Sequence, residues 1–249
     1  MSPRKLLCGW AALLLPLAAC SSTGVGNPAP VSISLAIVND PQTEDEAQDL
    51  PAAAIQDAAV VLGELRFLPC DTTQGAEQTA VGPFIVDLVH GTTTPAIPPI
   101  PGTPGGFCGI DAPLAPATSA ALAGRSFFFD GIRADGAFFI VYANMTGTLR
   151  LRATPGQSWQ GQEDPPGFFW ALHPRRWLAK SELDDADAMP YDNHLHAVVI
   201  DVDRHPALFL AIRARLAGLS TLYADADGNH LFTDSDRADV VGEGLDDAD

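Results

Sequence analysis

The richest chemical spacing in this 249-residue chain lies near its end, in Asp225-Ala226-Asp227-Gly228-Asn229-His230-Leu231-Phe232-Thr233-Asp234-Ser235-Asp236. Counted from Asp225 as position 1, side-chain oxygens fall at 1, 3 and 5 (Asp225, Asp227 and Asn229). The backbone carbonyl of Leu231 follows at 7, Thr233 or a water it holds at 9, and Asp236 at 12. A tight loop turns alternate side chains inward, so these groups can build the oxygen shell, at about 2.3–2.6 Å, that a hard cation such as Ca²⁺ takes. Phe232 supplies an apolar anchor. The competing reading is an Asp/Asn/Gly turn that binds nothing.

The ligand order resembles that of a single EF-hand, or of the dockerin-type variant in which Asp fills position 12. The resemblance implies a structural calcium ion held between two helices. The flanking residues read the same way. Asp203 or His205 can cap a helix that Pro206 opens. Leu208, Ile212, Leu216 and Leu219 then recur at helical spacing up to about Tyr223, and a short helix is expected over 235–241. Residues 203–242 therefore read as a helix-loop-helix and 243–249 as a fraying acidic tail. Two departures from the family pattern imply weak affinity, about 10⁻⁴–10⁻³ M. His230 stands at position 6, where Gly normally adopts positive φ, and Asp236 reaches less far than Glu.

Charge is concentrated in the same region. The chain carries 31 acidic and 14 basic side chains, net −17. Residues 184–249 hold 14 of the 24 Asp, together with Glu243, against four Arg. Such a surface lacks the basic stripe that DNA or RNA requires, so no nucleic-acid partner is expected. Asp184, Asp185 and Asp187 with His194 and His196 form an alternative site, in which paired carboxylates would divide acid and base roles in an envelope hydrolase. His194 and His196 share a strand face, as a zinc pair would, but no third ligand follows at metal spacing. The chain contains no GxSxG, HExxH, P-loop or GxGxxG motif. The favoured reading is a non-enzymatic binding or structural module with no catalytic residue.

The N-terminus reads as an address. Arg4 and Lys5 precede an apolar run, Leu6 to Leu17, that is too short to span a bilayer. It ends in Leu17-Ala18-Ala19-Cys20, followed by Ser21-Ser22-Thr23-Gly24. This resembles the bacterial lipoprotein signal, in which the peptide (here 1–19) is removed and the following Cys is acylated. The resemblance implies a lipid anchor at Cys20, hence a membrane partner and a cell-envelope location. Ser21 after that Cys implies the outer membrane. A further reading is a subunit of an envelope assembly, with an envelope protein as partner and the Pro-rich 91–106 loop or the Trp-containing loop as contact. An ordinary secretory signal cut after Ala19 is the alternative. Residues 20–30 form a small, polar tether. Outside the cytoplasm, Cys70 and Cys108 are expected to pair; a metal role is disfavoured because no CxxC or nearby Cys/His spacing exists.

Residues 31–202 read as mainly β. Val31–Ile37 alternates with period 2, and further strand-like runs are 58–68, 83–89, 107–110, 125–132, 137–143, 147–153 and 194–202, while 168–173 reads as either another strand or an exposed aromatic loop. The Pro/Gly-rich stretch 91–106 is a surface loop. Five Phe between 127 and 139, and Trp159, Trp170 and Trp177 near Arg175 and Arg176, offer either binding platforms or core; core is the commoner use. Strands at this spacing suggest an antiparallel β-sandwich. Pro83-Phe84-Ile85-Val86-Asp87-Leu88, a Pro-rich loop and Gly105-Gly106-Phe107-Cys108-Gly109-Ile110 loosely resemble a bacterial lipoprotein domain of unknown function. That family has a prealbumin-like (transthyretin-like) sandwich, and the likeness covers 31–153, with Phe-Cys where Tyr is usual.

Overall fold

Alternating and continuous apolar runs shape a chain that is mainly β, with one 13-residue helix, α1 (Pro206–Gly218), among the described residues. The computed structural model describes residues 32–39, 54–118, 122, 124–133, 135–160, 167–177, 182–183, 185–192 and 195–245. The signal segment, Cys20 and the tether, Asp184, His194 and residues 246–249 lie outside them. The strands are β1 (Ser34–Asn39), β2 (Ala54–Pro69), β3 (Gln78–Asp87), β4 (Thr92–Thr94), β5 (Phe107–Pro113), β6 (Phe127–Ile132) and β7 (Phe138–Ala143). They continue with β8 (Thr148–Ala153), β9 (Gly167–Leu172), β10 (Met189–Asp192), β11 (Leu195–Ile200), β12 (Ser220–Ala224) and β13 (Val240–Leu245).

All thirteen strands join one sheet, in the order β1-β9-β12-β13-β8-β5-β2-β6-β7-β11-β10, with β3 paired to β2 and β4 to β3. The sheet is mixed rather than purely antiparallel: β1 runs parallel to β9, and β11 parallel to β7. Long connections between these partners leave room for the crossovers that parallel pairing requires. The organising strand is β2. Its first half pairs with β6 and its second half with β5, while β3 follows its other edge. The β2–β3 register shifts between Leu62 and Glu64, a bulge that bends the strand where it changes partner.

One large apolar core takes side chains from Ile37 on β1, Phe67 on β2, Leu151 on β8, Trp170 on β9, Val198 on β11 and Ile212 and Leu216 on α1. Contributions from both ends of the strand order show that the sheet curls around a shared interior. The Phe-rich hairpin is confirmed, with Ile132 opposite Phe138 and Phe127 opposite Ala143. Its Phe127, Phe129 and Phe139 are buried, as are Trp159, Trp170 and Trp177, so these aromatics are core rather than platform. The Arg215 guanidinium donates to the Trp177 carbonyl at 3.2 Å and to both Glu182 carboxylate oxygens, tying α1 to the 174–183 segment. No described helix is long and apolar enough to cross a membrane.

The C-terminal expectation needs correction. The helix stops at Gly218, five residues short of Tyr223, and Ser220–Ala224 is strand. The expected second helix is a 3₁₀ turn, Asp236–Ala238. Residues 240–245, read as part helix and part tail, form β13 in the interior of the sheet. The region is not a separate helix-loop-helix. Leucines at helical spacing cannot distinguish a helix end from a buried strand, and Ser220–Ala224 gains a full ladder beside β9. The 91–106 stretch is largely loop, though Thr92–Thr94 adds a short edge strand and Ile100 is buried against Ile33.

Cys70 and Cys108 form the expected disulfide, with Cα atoms 4.8 Å apart and 38 residues between them in sequence. Replacing both by Ser should lower stability by about 3–4 kcal/mol, measured by denaturant unfolding. A second expectation concerns Asp130, whose Oδ1 accepts the Asp57 N–H at 3.0 Å. Burial pushes its carboxyl above the ordinary 3.8. The folded state therefore disfavours the ionised form, at a cost present above the folded pKa and absent below 3.8. Asp130→Asn should raise stability at neutral pH, and the gain should vanish on acidification towards that value.

Candidate metal centre

The 225–236 loop is strung between two sheet strands, β12 and β13. β12 runs beside β9, pairing Tyr223 with Phe169 and Ala224 with Phe168. The Asp225 N–H then donates to the Gly167 carbonyl at 2.9 Å, extending the ladder by one rung. This brings the Asp225 carboxylate against Gly167. A Cβ at residue 167 would lie 2.6 Å from Asp225 Oδ2, so glycine there is a steric requirement. Phe232 anchors the far side of the loop. Its ring lies 5.4 Å from that of Phe169 and 5.3 Å from that of Tyr223, with the Arg237 guanidinium 4.8 Å from its centroid.

The Asp225 side chain is fully buried. Its Oδ2 accepts the His230 N–H at 2.9 Å and lies 3.1 Å from His230 Nδ1. Its Oδ1 is also buried and has no hydrogen-bond partner. A buried carboxylate oxygen left in that state carries a desolvation cost of about 1–3 kcal/mol or more. Asp227 is exposed; its Oδ1 accepts the Asn229 N–H at 3.1 Å, and its Oδ2 accepts from Asn229 Nδ2 at 2.7 Å. Asp236 is wholly buried and closes the loop from the other end. Its Oδ1 accepts the Ala226 N–H at 2.8 Å, and its Oδ2 accepts the Thr233 N–H at 2.7 Å and hydroxyl at 2.9 Å.

Carboxylate oxygens of Asp225, Asp227 and Asp236 lie within 4.8 Å of one another. Of the six residues singled out by spacing, the loop thus converges these three. Asn229 stands beside them, its Oδ1 accepting the Leu231 N–H at 2.6 Å. Thr233 is turned towards Asp236, and the Leu231 side chain is exposed at the rim. His230 adopts φ +59°, so position 6 has the left-handed conformation despite its side chain. The roles of Gly167 and of the His230 amide have no local signature beyond a glycine at the start of a strand.

The other candidate chemistry does not assemble among the described residues. Asp185, Asp187 and His196 are all exposed, and Asp184 and His194 lie outside the description. The loop is the sole group of three or more His, Cys, Asp or Glu side chains that converges there. An open cavity of about 280 Å³ beside the start of the β1–β9 pair has His230 as its one titratable lining residue. Comparison with protein-family models, curated proteins and solved structures finds no match.

Asp236→Ala would leave the Ala226 and Thr233 amides without their acceptor. A loss of about 2 kcal/mol is expected in denaturant unfolding with chelator present, with Asp236→Asn milder because it keeps one acceptor.

Proposed function

We propose that this protein is a lipid-anchored cell-envelope module whose β fold is stabilised by calcium at the 225–236 loop, and that it acts by binding or scaffolding rather than by catalysis. The observation that carries the calcium reading is Asp225 Oδ1, a buried carboxylate oxygen with no partner, next to the carboxylates of Asp227 and Asp236. A proton donor or a cation would relieve it, and the all-oxygen surroundings favour a hard cation. The hydrogen bonds in place leave that oxygen free while pinning its neighbour Oδ2 to His230. The carbonyl of Leu231, Asn229 Oδ1, the Thr233 hydroxyl and water would complete the shell.

Ca²⁺ is preferred over Mg²⁺ because the loop presents a mixed set of carboxylate, amide, hydroxyl and carbonyl oxygens, which suits the larger and less regular Ca²⁺ shell. Mg²⁺ demands near-octahedral geometry and sheds water reluctantly. The envelope location rests on the lipobox-like Leu17-Ala18-Ala19-Cys20 and agrees with the Cys70–Cys108 disulfide, a bond typical of oxidising compartments. Acylation at Cys20 would bind the bilayer at about 0.8 kcal/mol per buried CH₂.

Thermal melting tests the calcium reading. With calcium about 100-fold above its Kd, stability should rise by about 2.7 kcal/mol and Tm by about 5–10 °C relative to chelator. Magnesium at the same concentration should do less. An unchanged Tm at that calcium concentration would refute the site. For the anchor, mass spectrometry of protein from membranes should find an acylated Cys20 as the first residue, and Cys20→Ser should abolish membrane retention.

A further inference from the structure

β13 is poorly equipped by its own residues for the place it occupies. The strand, VVGEGL, has two glycines; Gly242 is its only fully buried residue and Val240 is 38% exposed. Such a segment brings little apolar burial and low strand propensity. Yet it lies between β12 and β8, and the path from β1, β9 and β12 to β8 and β5 runs through it. Main-chain bonds hold it on both sides, supplemented by Trp159 Nε1–H to the Val241 carbonyl at 3.0 Å and the Thr154 N–H to the same oxygen at 3.1 Å. A larger residue at 242 is barred, since a Cβ there would lie 2.8 Å from the Arg152 carbonyl oxygen.

A strand with so few apolar contacts belongs to the part of a fold that opens first. Its docking depends on how firmly the chain leading into it is held. That chain is the 225–236 loop. At its neck the Ala226 N–H donates to Asp236 Oδ1, and the Ala224 N–H to the Asp239 carbonyl at 3.0 Å. Closing the neck gathers three carboxylates and strands Asp225 Oδ1 in the interior. The closed loop and the docked strand therefore share one equilibrium, and whatever neutralises the loop favours the strand.

Resting on the calcium reading above, we infer that the ion gates β13: bound calcium holds the β12–β13 hairpin closed and the sheet continuous, and on its removal β13 leaves before the rest of the core unfolds. Departure exposes the facing edges of β12 and β8, turning two interior strands into open edges. The ion thereby controls whether the C-terminal segment is part of the sheet.

Hydrogen exchange on the full chain, read by mass spectrometry with isothermal titration of calcium chloride alongside, tests this. In chelator, amides of 240–245 and of their partners on β12 and β8 should exchange at least about 10-fold faster than those of the β2–β6 ladder. Calcium about 100-fold above Kd should slow the β13 amides by about 100-fold and close the gap. Asp227→Asn, an exposed substitution that spares the buried contacts, should keep the chelated pattern when calcium is added. If calcium binds but β13 is as protected in chelator as β2, the gate is overturned and the site stands. If no heat of binding is found, both are overturned.

Discussion

Two-sided backbone pairing of β13 is the constraint on which the C-terminal half of the sheet depends. Thr221 and Leu222 oppose Glu243 and Gly242 on one side, while Ala153, Arg152 and Leu151 oppose Gly242, Glu243 and Gly244 on the other. Every unpaired N–H and C=O buried in a sheet costs free energy comparable to a lost hydrogen bond. The last strand must therefore be in place before β12 and β8 are satisfied. Because β13 has little side-chain mass to secure it, the turn that delivers it acquires unusual weight. The Asp236 contacts to Ala226 and Thr233 are the direct physical means by which that turn is closed.

The other half of the fold is organised differently. There β2 brings its own apolar residues to the core, with Val60, Leu62, Leu65 and Phe67 all buried, and it pairs with β3 on one edge and with β6 and then β5 on the other. The disulfide joins the end of β2 to β5, where the β2–β5 ladder already pairs Pro69 with Phe107. That region is secured by burial and a covalent link. The β12–β13 region is secured by backbone pairing and a charged loop. The proposed dependence on calcium follows from this asymmetry, since an ion has most leverage where apolar burial is least.

Much of the sheet was legible from residue patterns. Alternating and continuous apolar runs marked the strands that became β1, β2, β5, β6, β7, β8, β9 and β11 to within a few residues, because each buries at least one face. β12 and β13 escaped for separate reasons. Leu216 and Leu219 carry a helical spacing past the point where α1 ends, and Ser220–Ala224 is too short to announce its own period. Val240–Leu245 reads as a tail because glycines and a glutamate give no apolar pattern; its strand conformation comes from neighbours distant in sequence. The parallel pairings β1–β9 and β11–β7 are equally invisible, since register between remote strands is decided by packing.

By itself the sequence determined the composition of the molecule: an apolar run, Leu6 to Leu17, shortly before Cys20, a β-rich body, two cysteines able to pair, and one run of oxygen donors at alternating positions. Those features are local, written in spacing and residue type. Tertiary structure decided where the oxygen run sits. Folding set Gly167 beside Asp225, buried that carboxylate against the His230 amide and left Oδ1 without a partner. It also replaced the expected flanking helices by strands, so that the loop closes a sheet rather than a helix pair. Burial and long-range pairing depend on residues about 50 to 95 positions away, and no local pattern carries that information.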